Sequence, residues 1–276
     1  MTRVLSALVL LPVVIGTVWL WPDAGTLVLA LVASILAFAE YRTIAAALHV
    51  EVPAVIGGAA VMAACFSLWC SDRTLSAGFN LPLVRPVELV LFSTFIVTGV
   101  VSVGRGRPSP GALADAAATA FAPLYIGLPL GALAALGIQA FGGGRLTLLL
   151  LIVVIVVSDS AQYYTGRAFG RRPLSPSISP KKTVEGAIGG LVFGTAAFAI
   201  GGHRLFGVGW PLLVLAGAAI AALGMIGDLF ESLLKRSAGV KDSSNLIPGH
   251  GGVLDRIDSW LFAAPVYYVF VRFIAS

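Results

Sequence analysis

Long stretches with almost no charge recur along this chain, and no other feature limits its fold so severely. A helix that crosses a bilayer needs about 20 mostly apolar residues. Runs of that order lie near residues 4–21, 24–48, 52–70, 86–103, 112–140, 146–165, 186–202, 211–229 and 257–274. The expected fold is therefore an all-α integral membrane protein, a polytopic helical bundle of about nine transmembrane helices. Composition agrees: 58% of residues are hydrophobic and 11% charged, against roughly 25% charged in an ordinary soluble domain.

The first run follows Arg3 and resembles a leader, but no small-residue cleavage site follows it in "WLWPDAG", so it is read as a helix. Cys65 and Cys70 stand five positions apart in one span, off each other's helical face, which suits packing rather than a disulfide or a metal. With no internal repeat, low-complexity tract or long polar segment, residues 1–276 are read as one membrane domain. Residues 1–145 supply N-terminal helices, and residues 146–276 supply helices and the charged loops.

Orientation follows Lys and Arg. With nine spans, the side of the N-terminus holds Arg3, Arg42, Arg105, Arg107, Arg167, Arg171, Arg172, Lys181, Lys182, Lys235, Arg236, Lys241 and Arg256. That is thirteen of the eighteen basic residues, with Arg73, Arg85, Arg145, Arg204 and Arg272 left for the other side. The N-terminus is therefore expected in the cytoplasm. The net charge of +5 has the same origin and gives no reason to expect nucleic acid.

The acids say more, because orientation does not require them. Of thirteen Asp and Glu, seven fall between positions 159 and 258: Asp159, Glu185, Asp228, Glu231, Asp242, Asp255 and Asp258. Asp159 follows "LTLLLLIVVIVVS" with no turn residue between, which places it on the same helix, where a carboxylate usually has a partner or a task. If the run before Asp228 continues through "DLFESLLKR", then Asp228, Glu231, Ser232 and Lys235 share one face, as a site or as a surface ion-pair ladder.

Two loops carry the matching cations. In "GRAFGRRPLSPSISPKKTVEG", three prolines oppose a helix until Thr183 can cap the next span. The loop from Ala238 to Leu254 contains "PGHGG", whose glycines let backbone NH groups approach an anion. Cations alone would bind phosphate, and carboxylates among them would weaken that attraction unless they hold metal. Mg²⁺ prefers a few carboxylates with phosphate oxygens. The chemistry indicated is phosphoryl or nucleotidyl transfer at a membrane surface.

At these positions the sequence closely resembles the phosphatidate cytidylyltransferase (CDP-diacylglycerol synthase) family. Its C-terminal signature is met by Ser232, Leu234, Lys235, Arg236, Lys241, Asp242, Ser244, Ile247, Pro248, His250, Gly251, Gly252, Val253, Asp255, Arg256, Ile257 and Asp258. Its upstream segment is met by "SDSAQYYTGRAFG" and "SPSISPKKTVEG", with Gln162 where a small residue is expected. Together these motifs cover roughly the last 120 residues.

The resemblance implies that CTP and phosphatidate give CDP-diacylglycerol and pyrophosphate, with Mg²⁺, in a dimeric enzyme of the cell's inner (plasma) membrane whose site faces the cytoplasm. A second, monovalent ion such as K⁺ is an implication of the family alone. Catalytic roles would fall to Asp228, Asp255, Lys235, Arg236, Lys241 and Arg256. Substrate binding would fall to Lys181, Lys182, Arg167, Ser232, Asp242, His250, Gly251 and Gly252, and metal to Asp228, Asp255, Asp258 and Asp159. His250 is expected to shape the loop rather than act as a base, since the attacking phosphate is already ionised near neutral pH. The rival expectations are a CTP-dependent polyprenol kinase and an ion-coupled transporter.

Overall fold

The computed structural model describes residues 19–76, 86–106, 109–138, 144–246 and 251–274, with a few isolated positions before residue 19. Among them, seven helices are long and apolar enough to cross a membrane. The expected span at 4–21 lies mostly outside the described residues. The run at 257–274 is a helix, but Asp255, Arg256, Asp258 and Arg272 at its ends and Pro265 within it leave it outside the seven. Its chain contacts divide the protein into two units, Met1–Ile138 with Ser237–Arg256, and Gln139–Arg236 with Ile257–Ser276.

The first unit begins with α1 (Pro22–Ala47), whose proline sits in the first turn, where a missing N–H is harmless. It is followed by α2 (Ala54–Ser76), α3 (Pro86–Gly104) and a crossing formed by α4 (Ala112–Ala122), a π-helical turn (Pro123–Gly127) and α5 (Leu128–Leu136). Pro129 cannot donate to the Tyr125 carbonyl, and its ring crowds that group, so the ladder loosens just before it. Leu128 instead donates to Pro123 five residues back. A Cβ on Gly131 would lie 2.7 Å from the Cys65 carbonyl oxygen of α2. Close backbone approach through small residues is how helices associate in lipid. Cys65 is buried and unbridged, as a packing residue should be.

In the second unit, α6 (Arg145–Phe169) leads into a two-stranded antiparallel hairpin, β1 (Pro173–Ser175) and β2 (Ser179–Thr183). This hairpin replaces the irregular loop expected there. α7 (Val184–Phe206), α8 (Trp210–Ser237) and α9 (Leu254–Phe273) follow. The seam between α6 and α7 is lined by glycine: a Cβ on Gly186 would lie 2.8 Å from the Gln162 carbonyl oxygen, and one on Gly189 would strike Thr165. Gln162 lies over Gly190, so the larger side chain at 162 fits because its neighbour has none. Phe198, Phe206, Tyr267 and Phe270 pack edge to face in the core, and Tyr267 donates to the Thr147 carbonyl at 2.9 Å.

Candidate functional site

In the second unit the charged residues are set by the hairpin and by α8. Thr183 caps α7, accepting from the Gly186 amide at 3.1 Å. One oxygen of Glu185 accepts the amides of Arg171 and Arg172 at 3.0 and 3.2 Å, fixing the chain as it leaves α6. Side chains alternate along a strand, so Lys181 is exposed while Lys182 turns inward and forms an ion pair with Asp228. Arg236 reaches the turn of the hairpin, its Nε 3.5 Å from the Ile178 carbonyl.

α8 runs unbroken through Asp228 to Ser237, so the face expected from the sequence forms. Ser232 donates to Asp228 Oδ1 at 3.4 Å. Glu231 is fully buried and paired with Lys235 one turn on, so this is no surface ladder. A buried carboxylate needs such a partner, because taking a lone charge out of water is expensive. Lys235, expected among the catalytic cations, is thus already engaged by Glu231.

Asp258 of α9 lies against α8, its backbone oxygen directly below Gly227. Asp159, on α6, accepts from Gln162 Nε2 at 3.1 Å. Asp159, Asp228 and Asp258 are near enough to feel one another's charge, with Lys182 and Lys235 as the neighbouring cations. Among the described residues, no three His, Cys, Asp or Glu side chains form a metal cage by themselves. Mg²⁺ commonly takes one or two carboxylates and completes its shell with water and substrate phosphate. The donors present, Asp159, Asp228 and Asp258 near one another, fit that habit.

The first unit holds the signature loop. Asp255, in the first turn of α9, accepts the Ser243 amide at 3.0 Å and the Gly252 amide at 2.7 Å at Oδ2, with Ser243 Oγ 2.9 Å from the same oxygen. Gly251 has φ of 82°, a backbone open chiefly to glycine. A Cβ on Gly252 would strike Ser243 Oγ and both carboxylate oxygens of Glu40. Lys241 and Asp242 are exposed on this loop, and Arg256 is exposed in the first turn of α9. His250 lies outside the described residues.

Of the expected residues, Asp159, Lys182, Asp228, Ser232 and Asp258 come together in the second unit, and Asp255, Gly251 and Gly252 in the first. Arg167 stands at the exposed end of α6, 3.4 Å from the Tyr163 hydroxyl. Sequence reasoning missed Glu40, which is 5% exposed within α1 and bonded to Ser243, Ser244, Val253 and Leu254. Its signal was a carboxylate set in an otherwise apolar run, which in lipid implies a partner.

A family model described as "Cytidylyltransferase family" matches residues 1–274. The chain is 45% identical over 131 residues to the uncharacterized protein YnbB of Escherichia coli (strain K12), covering 48% of this chain and 44% of the relative. It is 45% identical over 127 residues to a phosphatidate cytidylyltransferase of Haemophilus influenzae, covering 42% of each. With a phosphatidate cytidylyltransferase of Bacillus subtilis it shares 45% identity over 114 residues, 40% of this chain and 42% of the relative. The matches thus span less than half the length of these relatives.

Proposed function

This chain belongs to the cytidylyltransferase family, and from that premise we propose that it is a phosphatidate cytidylyltransferase of phospholipid biosynthesis. A phosphate oxygen of phosphatidate attacks the α-phosphorus of CTP, the α–β anhydride bond breaks, and pyrophosphate leaves as CDP-diacylglycerol forms. The observation that carries this reading is the Asp228–Lys182 pair among Asp159 and Asp258, carboxylates and cations gathered where α6 and α8 lose their apolar character. One substrate is dissolved in water and the other anchored in lipid, so the chemistry belongs at such an edge.

Asp228 and Asp258, with Asp159 beside them, would hold Mg²⁺; Asp255, in the first turn of α9, is a further carboxylate that the resemblance assigns to metal. Bound Mg²⁺ would neutralise phosphate charge and polarise the α-phosphate. Lys182 sits where a nucleotide phosphate could replace Asp228 as its partner. Lys181, Arg236, Lys241 and Arg256 are exposed and long enough to grip phosphates and stabilise charge moving onto pyrophosphate. The distribution of Lys and Arg supports an N-terminus and active site facing the cytoplasm of the inner membrane. We read nine spans, counting 4–21 and α9 beside the seven, in a homodimer.

The test is lipid labelling by purified protein in detergent with phosphatidate, Mg²⁺ and CTP labelled on the α-phosphate. Label in lipid that disappears with Asp228→Asn is the expected outcome. Label confined to CDP, with unlabelled lipid phosphate formed from γ-phosphate, would replace this reading with a lipid kinase.

A further inference from the structure

Four bonds of Glu40 tie two distant parts of the chain together. Oε1 accepts from Ser244 Oγ at 2.7 Å and the Val253 amide at 2.9 Å, and Oε2 accepts from Ser243 Oγ at 2.9 Å and the Leu254 amide at 2.7 Å. Each oxygen thus joins one serine at the start of the signature loop to one amide at its end. A carboxylate has about four acceptor sites, and here each is matched to a donor. The two amides are among those that the first turn of α9 leaves unpaired, where negative charge is also favoured by the helix dipole.

The glycine beside this carboxylate fits the same account. Position 252 has no room for a Cβ because Glu40 and Ser243 occupy the space. Ser243 Oγ also lies 2.9 Å from Asp255 Oδ2, so one hydroxyl stands between the Glu40 and Asp255 carboxylates.

We propose that Glu40 is a positioning residue for the transfer reaction: from α1 it clamps both ends of the signature loop and thereby sets where Asp255, Lys241 and Arg256 stand. The catalytic consequence rests on the function proposed above, whereas the clamp does not. Sequence distance conceals it, since the bonds span 203 to 214 residues.

The test compares wild type, Glu40→Gln, Glu40→Asp and Gly252→Ala as full-length protein in detergent, by transferase kinetics and by hydrogen exchange of the segment holding Val253 and Leu254. Glu40→Gln keeps the shape but turns an NH₂ toward one serine–amide pair. A misplaced loop should lower kcat about 100-fold with KM for CTP little changed, and exchange at 253–254 should quicken. Glu40→Asp, which keeps both acceptors on a shorter stem, should recover part of kcat. Gly252→Ala should quicken the same amides. Adding Ser244→Ala to Glu40→Gln should cost little beyond Glu40→Gln alone. Wild-type exchange in Glu40→Gln would overturn the clamp, and so would a lowered melting temperature with kcat and exchange unchanged. If wild type itself makes no CDP-diacylglycerol, the functional reading fails, and the exchange data still decide whether Glu40 holds the loop.

Discussion

The two charged clusters of this protein are built on opposite plans. Around Glu40 and Asp255, carboxylate oxygens are filled by backbone amides and serine hydroxyls, short bonds to fixed parts of the chain. Around Asp228, the carboxylates meet a lysine, a long 3.4 Å serine contact and one another's charge. The first arrangement fixes a loop. The second keeps three carboxylates near one another with Lys182 and Lys235 as the neighbouring cations, a state that a divalent cation would relieve. One carboxylate chemistry thus serves as scaffold in one region and, in the function proposed here, as receptor in the other.

The comparison breaks if the Asp228 cluster is merely structural. Asp228→Asn should lower CDP-diacylglycerol formation about 100- to 1,000-fold, the scale of losing one electrostatic group aimed at the reacting charge. Its melting temperature should stay near wild type. A large drop in melting temperature with specific activity retained would place Asp228 with the scaffold instead.

A contrast within α8 sharpens it further. Lys235→Met strands the buried Glu231 and should destabilise the protein by about 3–5 kcal/mol, seen as a lower melting temperature in detergent. Pairing it with Glu231→Leu should restore much of that loss, because an apolar pair of similar size replaces a buried ion pair at little net change. Lys182→Met leaves a partly exposed Asp228 and should affect CTP binding more than stability, which titration with CTP would reveal. Thr183→Ala removes the cap of α7 and should reduce stability by about 1 kcal/mol. The smallest change is expected for Gln162→Ala, which removes one 3.1 Å bond to Asp159 and leaves a gap over Gly190.

What could be seen in the sequence followed local rules. The unbroken run into "DLFESLLKR" contains neither glycine nor proline after Gly227, so the shared face of Asp228 and Ser232 was readable from helical spacing. Thr183 was readable as a cap because three prolines oppose a helix before it. The burial of Glu231 was not, because spacing that makes a surface ladder is identical to spacing that makes an internal pair. Nor was the inward turn of Lys182, which depends on hairpin register within a proline-rich loop. Glu40 was hidden by another cause: its partners lie more than two hundred residues away, and clusters of acids along the chain draw attention from an isolated one.

The glycine seam between α6 and α7 makes α7 a helix with unequal tolerance around its circumference. Gly186, Gly189, Gly190 and Gly194 press against Gln162, Thr165 and Ser158, while Ile188, Val192 and Phe193 face outward, each more than half exposed. A saturation scan along α7 would therefore trace a wave with the helical period: inward positions rejecting even a methyl group, outward ones accepting almost any apolar side chain. Because α6 carries Asp159 and α7 opens just beyond Lys182, a single methyl wedged into that seam would act at a distance, spreading the two helices and loosening the charges near their ends.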